Sequence, residues 1–209
     1  MDPLLTVNQS TVLSRSKIFA HPNRLAEWLI TGTTHPITAQ LDPSNKCNYD
    51  CNQCAGLRID RNAELTLDQM KRIVNQLSPF VKGMEFTGGG EPLINRDTPD
   101  AIDYAYEKGI DVGLVTHGRL LNERIISQII NSCTYIRISL DASDNATHRL
   151  RKGTQDNSSL DNVLHNVTNL IKEKSLQQSS CTIGLSYLTD FDDTFDSLNA
   201  FAMQKEYAI

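Results

Sequence analysis

Three cysteines stand close together in Cys47-Asn-Tyr-Asp-Cys51-Asn-Gln-Cys54, with three and then two residues between them. A loop of that spacing can wrap three thiolates around one metal centre. The total of five cysteines is odd, and this crowding is a poor layout for disulfides but a good one for a metal in a reducing compartment. Ligand count then separates the candidate metals. A structural zinc site takes four protein ligands, and no histidine or fourth cysteine lies nearby in sequence, so zinc needs a distant partner such as Cys133 or Cys181. A 4Fe-4S cluster held by three thiolates keeps one iron open to an outside ligand, which makes the set complete for catalysis. Spacing alone favours iron–sulfur, keeps zinc as a rival, and leaves three ordinary thiols without metal as the bland alternative.

The elements that must position this loop alternate regularly between apolar strand-like runs and amphipathic segments of helical period. Residues 37–42 read as a first strand directly ahead of the cysteines. Residues 66–77 read as a helix with Leu67, Met70, Ile73, Val74 and Leu77 on one stripe, opened by a capping box of Thr66 and Gln69. A second strand spans 82–87, and a helix runs from Pro99, suited to a first helical position, to Lys108, with Gly109 as the stop. A third strand at 110–116 precedes a helix capped by Asn122 and carrying Ile125, Ile126, Ile129 and Ile130. The fourth strand is 135–140, and the Ser- and Asn-rich stretches at 143–145 and 156–159 read as loops. A helix at 160–172, a strand at 181–188 and a fifth helix at 191–204 complete the series. A leader, 1–35, containing a short helix near 24–30, precedes a core domain of 36–209.

Strict alternation implies parallel strands joined by right-handed crossovers, hence an α/β fold that is either an open doubly wound sheet or a barrel. Period-two faces favour the barrel. One face collects Thr38, Gln40 and Asp42 on the first strand, Glu85 and Thr87 on the second, Tyr135, Arg137 and Ser139 on the fourth, and Thr182, Gly184 and Ser186 on the fifth. An open parallel sheet covered by helices on both sides is apolar on both faces, whereas helices outside and a polar cavity inside explain the asymmetry. Residues 206–209 resemble the start of another strand, so the expected fold is a partial (β/α)6-type barrel truncated after the fifth β/α unit, its C-terminal end missing.

Net charge is −5 with scattered lysines and arginines, so no bulk nucleic-acid binding is expected. No stretch approaches the roughly 20 apolar residues that span a bilayer, and the N-terminus lacks signal-peptide order. A cytoplasmic protein without a membrane partner is expected.

Three further motifs follow the cysteines in order. Phe86-Thr-Gly-Gly-Gly-Glu-Pro92 ends the second strand, Val115-Thr-His-Gly118 the third, and Ile136-Arg-Ile-Ser-Leu-Asp141 the fourth. Together with Cys47, Cys51 and Cys54 they resemble the radical S-adenosylmethionine (SAM) superfamily over residues 35–188. The resemblance implies a 4Fe-4S cluster on the three cysteines, with its open iron chelating the amino and carboxylate groups of SAM. It implies one-electron reduction of the sulfonium, giving methionine and a 5′-deoxyadenosyl radical that abstracts hydrogen from a small-molecule or peptide substrate, with an electron donor such as flavodoxin or ferredoxin.

By the same resemblance, Gly88, Gly89 and Gly90 offer main-chain contacts to SAM, with Glu91 holding that turn. Thr116 meets cofactor or substrate, Ser139 and Asp141 bind its ribose or carboxylate, and Gln53 touches adenine through its backbone. Two departures stand out: His117 replaces the usual asparagine, and Gln53 replaces an aromatic residue, leaving Tyr49 to supply adenine stacking. Simpler roles compete for several of these. The glycine run can be a tight connection, and Asp141 can cap the following loop. Glu85, Arg137 and Gln40 serve either substrate orientation or a buried ion-pair layer. Cys133 and Cys181 read as packed thiols, His148 as loop or surface, and His165 as an exposed helical residue, while Arg149 and Arg151 after the fourth strand serve either to meet a carboxylate or, the safer reading, as a solvated loop. The rival from another class is a non-catalytic iron–sulfur or zinc binding module.

Overall fold

Residues 1–37 and 38–209 form two units in the computed structural model, which describes residues 19–54 and 60–188. In the first unit, helix α1 (Pro22–Thr31) begins on proline and ends at Gly32, whose φ of 75° lets its N–H reach back to the Trp28 carbonyl.

The second unit is a parallel sheet. Its strands β1 (Thr38–Leu41), β2 (Gly83–Phe86), β3 (Asp111–Thr116), β4 (Tyr135–Ser139) and β5 (Thr182–Ser186) lie side by side in chain order. Between them run α2 (Leu67–Leu77), α3 (Thr98–Glu107), α4 (Glu123–Ile129), α5 (Asn145–Lys152) and α6 (Ser159–Leu176). A doubly wound sheet reverses its strand order at a switch point. No reversal occurs here, and α2 packs on α3, α3 on α4, and α4 on α6, a row of neighbours. That is the winding of a barrel, as its two-faced strands foretold. Leu41, Met84, Phe86, Val112, Leu114, Ile136, Ile138 and Ile183 point into the core beneath the helices. On the other face Gln40 and Arg137 are exposed and Glu85 is half-buried, so these three form no buried layer.

Local signals explain most boundaries. The Thr66 hydroxyl accepts the Gln69 N–H while the Gln69 side chain accepts the Thr66 N–H, the reciprocal box expected at α2. The Asn122 side chain accepts the Ile125 N–H at the start of α4. The helix expected at 160–172 extends in both directions, to Ser159–Leu176. The helix expected at 191–204 and the strand start at 206–209 lie outside the described residues.

One element departs from expectation. Asn145, His148, Arg149 and Arg151, read as loop or surface, lie in α5, which has no apolar stripe to announce it. Its termini carry the signal instead: the Asp144 carboxylate accepts the Ala146 and Thr147 N–H groups, and Gly153 closes the helix at φ 60°. His148 is correspondingly a fully buried helical residue, not loop or surface, and Arg149 and Arg151 are helical too. Cys133 and Cys181 are buried and His165 is exposed.

Candidate active site

The cysteine loop leaves β1 and is stitched to its own return. Ser44 bridges to Glu64, the Asn45 N–H donates to the Ala63 carbonyl (2.9 Å), and the Leu65 N–H to the Pro43 carbonyl (3.0 Å). The buried Asn95 amide clamps both sides by donating to the Pro43 and Leu65 carbonyls. The glycine turn after β2 then presses on the loop. A Cβ at Gly90 would lie 2.5 Å from the carbonyl carbon of Asn45, and the Glu91 N–H donates to the Lys46 carbonyl at 2.8 Å. From the far side, the Asp50 N–H donates to the Lys152 carbonyl at 2.9 Å, and a Cβ at Gly153 would meet the Asp50 carbonyl carbon at 2.7 Å. Two glycines separated widely in sequence thus make room for one loop.

Within it, Cys47, Cys51 and Cys54 are all half-buried. Burial raises the thiol pKa values of Cys47 and Cys51; Glu91 and Cys54 add to the rise at Cys47, Cys47 and Cys54 to that at Cys51, and the charge of Lys152 pulls Cys51 back down. The thiols therefore feel one another, although no group of three Cys, His, Asp or Glu side chains among the described residues is drawn into a finished metal cage. Cys51 and Cys54 wall a cavity of about 200 Å³ whose other lining residues are Gln53, Asp141, Arg151, Lys152 and Leu188. Two soft donors lining a cavity with two cations, with Cys47 as a third in the same loop, fit a thiolate-bound centre with an open position facing an anionic ligand.

Lys152 is almost fully buried, yet its ammonium is well partnered, donating to the Ser139 carbonyl (2.8 Å) and to Asp141 Oδ2 (2.7 Å). Asp141 adopts φ 60°, and its other carboxylate oxygen accepts the Leu188 N–H at 2.9 Å, tying the end of β4 to the end of β5. Arg151 donates to the Asp141 and Leu188 carbonyls. Ser139 is half-buried at the end of β4 and is not among the cavity's lining residues.

Glu91 and Thr116 sit deeper, each 2 % exposed. The Glu91 carboxylate accepts the Leu93 N–H (3.1 Å), the Thr116 hydroxyl (2.6 Å) and the His117 N–H (3.0 Å), locking the turn after β2 to the turn after β3. His117 carries the lock onward. Its Nδ1 accepts the Arg119 N–H, so Nε2 holds the proton and donates to the Asn48 side-chain oxygen at 2.7 Å. Burial lowers its pKa and keeps the ring neutral. Tyr49, expected to stack on adenine, is instead buried 4.5 Å from the His117 ring and 5.8 Å from that of His148. An aromatic side chain beside two buried imidazoles gains more from packing than from exposure in a cavity.

Residues 41–198 match the family model of the Radical SAM superfamily. The chain belongs to that superfamily. Cys47, Cys51 and Cys54 fit its three-cysteine signature, and its cofactors are a 4Fe-4S cluster and SAM. Over 136 residues the chain is 33% identical to an S-adenosylmethionine-dependent nucleotide dehydratase of Selenomonas ruminantium, covering 61% of this chain and 48% of that protein. Over 171 residues it is 25% identical to an AdoMet-dependent heme synthase of Methanosarcina barkeri, covering 80% of this chain and 48% of that one. The chain thus spans about half the length of these curated relatives. In fold it resembles Streptococcus suis SuiB bound to S-adenosylmethionine, with a TM-score of 0.67 at 16% identity, over 91% of this chain and 44% of that one.

For this radical SAM chain, sequence reading misses Lys152 and Gly153 at the end of α5, whereas it weighs Arg151 as a carboxylate contact against a solvated loop. The available signal was the pairing of Asp144 with Gly153 as helix caps. No helix of the described residues is long and apolar enough to cross a membrane.

Proposed function

We propose that Cys47, Cys51 and Cys54 hold a 4Fe-4S cluster and that the chain reductively cleaves SAM beside it. The observation that carries this reading is the shared cavity, where Cys51 and Cys54 face Arg151 and Lys152. Held by these three cysteines, the cluster would supply one electron for cleavage of the sulfonium to methionine and a 5′-deoxyadenosyl radical that would take hydrogen from a substrate carbon. Arg151 and Lys152 make the wall that receives the methionyl carboxylate. Gly88, Gly89 and Gly90 turn main-chain groups toward the SAM amino group, Gln53 lies along adenine, and Ser139 serves the ribose. Asp141 holds Lys152 in place, while Glu91 and Thr116 hold the two turns together. Residues 36–209 act as the core that carries this chemistry and 1–35 as its leader. The electron comes from a small donor protein such as flavodoxin or ferredoxin, in the cytoplasm. The relatives' names divide between a nucleotide, haem and peptides, so substrate choice rests on the inner face of the sheet.

Anaerobic reconstitution with iron and sulfide tests the reading. The full chain should turn brown, give a reduced-cluster EPR signal, and convert SAM to 5′-deoxyadenosine with dithionite. Alanine at Cys47, Cys51 or Cys54 should abolish iron retention and product together. A colourless zinc protein that leaves SAM intact would overturn the proposal in favour of a non-catalytic binding module.

A further inference from the structure

The sheet's inner face carries a constructed arrangement that cofactor cleavage does not use. Strand pairing sets Gln40 beside Glu85, Glu85 beside Gly113, and Gly113 beside Tyr135, one row across β1 to β4. The Tyr135 ring lies across β3 at Gly113. A Cβ there would stand 2.5 Å from ring carbon Cε1 and from the hydroxyl oxygen, so only glycine admits the ring in this pose. The Tyr135 hydroxyl donates to Glu85 Oε2, and Arg137, one row nearer the cysteine loop, brings Nη2 to 4.0 Å from the same oxygen. Burial, followed by the bond to Glu85, raises the phenol's pKa and keeps it a donor.

Both partners use Oε2, which leaves Glu85 Oε1 without a hydrogen bond among the described residues. Arg137 is the sole cation among the inner-face side chains of the five described strands, and its side chain is 47% exposed. Beside it in the pairing stands Gly184, where a Cβ would meet nothing within 4 Å among the described residues, so these leave that part of the face open. An aromatic ring, a carboxylate acceptor and a guanidinium donor therefore stand side by side. Stacking on an aromatic ring recognises any flat heterocycle, while an adjacent acceptor and donor read the hydrogen-bonding edge of a base. A peptide amide offers the edge without the extended ring face.

We propose that the row Glu85–Gly113–Tyr135, with Arg137, binds the nucleobase of a nucleotide or nucleoside substrate. The base stacks on Tyr135, an amino or imino N–H donates to Glu85 Oε1, and a ring nitrogen or carbonyl accepts from Arg137. That the bound molecule is the hydrogen-donating substrate rests on the SAM-cleavage reading; base binding itself does not.

Calorimetric titration of the reconstituted full chain, with saturating SAM and again without it, uses AMP, CMP, GMP and UMP as probes, with ribose 5-phosphate and a dipeptide amide as controls. At least one mononucleotide should saturate while ribose 5-phosphate does not. Tyr135→Leu and Glu85→Gln should each weaken that binding about 10-fold or more, Gly113→Ala should do the same by evicting the ring, and Tyr135→Phe should lose less because the ring remains. SAM affinity should stay within about 2-fold throughout, a change of under 0.5 kcal/mol that excludes global damage. Absence of mononucleotide binding, an unchanged affinity in Tyr135→Leu, or dipeptide-amide binding with the same dependence on Tyr135 would overturn the assignment. Wild-type protein that fails to bind SAM would sink the cofactor reading alone, since the SAM-free titration still decides the base site.

Discussion

A buried, desolvated imidazole is a proton sensor whether or not the protein uses it. His148 is fully buried, its Nδ1 shares a 2.7 Å bond with the Ser159 hydroxyl, and its Nε2 has no partner among the described residues. Desolvation, followed by the charge of Lys152, lowers its pKa to about 4, with His117 and Arg119 adding to the effect and Asp141 opposing it. The unfolded chain takes up the same proton near pH 6.5. Between these values the unfolded state binds more protons, so stability is complete above pH 6.5 and drains away as pH falls toward 4. The urea midpoint should therefore drop from pH 7 to 4.5, and His148→Phe should flatten that part of the profile; equal slopes in both proteins would remove His148 as the cause. Sequence reading gives this histidine as loop or surface, since a single buried position in a polar run has no periodicity to reveal it.

Helix α5 shows how an element can matter for where it ends. Gly153 sits in the left-handed region at φ 60° and lies against Asp50 between two of the cysteines. Gly153→Ala should cost about 1–2 kcal/mol of backbone strain, and it should also push the cysteine loop away. The expected result is a folded protein by circular dichroism that retains clearly less iron after reconstitution than wild type, whereas Gly109→Ala, also at positive φ but with open space around it, should retain wild-type iron. Equal iron in both variants would show that α5 does not brace the loop. The capping box of α2 and the asparagine cap of α4 were legible because cap and capped N–H lie within three residues. The docking of α5 on Asp50 joins residues about a hundred positions apart, and no local rule encodes it.

Over the whole molecule, the asymmetry of the sheet decides where stability and chemistry reside. Neighbours on β4 face opposite ways: Ile138 is fully buried beneath the helices, and Arg137 is exposed on the inner face. Ile138→Ala should cost about 2–5 kcal/mol through lost burial and the cavity left behind. Arg137→Gln should cost under about 1 kcal/mol, since its ion pair with Glu85 is partly exposed. Chemical denaturation of both variants measures the contrast, and similar losses would argue against a one-sided core. Near-neighbour patterns in the sequence set the alternation of strands and helices, the sidedness of each strand, and the three-cysteine spacing with its ordered turns. Folding adds that Tyr49 packs beside two imidazoles, that Lys152 joins Asp141 beside Cys51, and that Tyr135 crosses Gly113 to reach Glu85. Those contacts depend on crossovers that return distant segments to one end or one face of the sheet, and packing, not local propensity, selects among them.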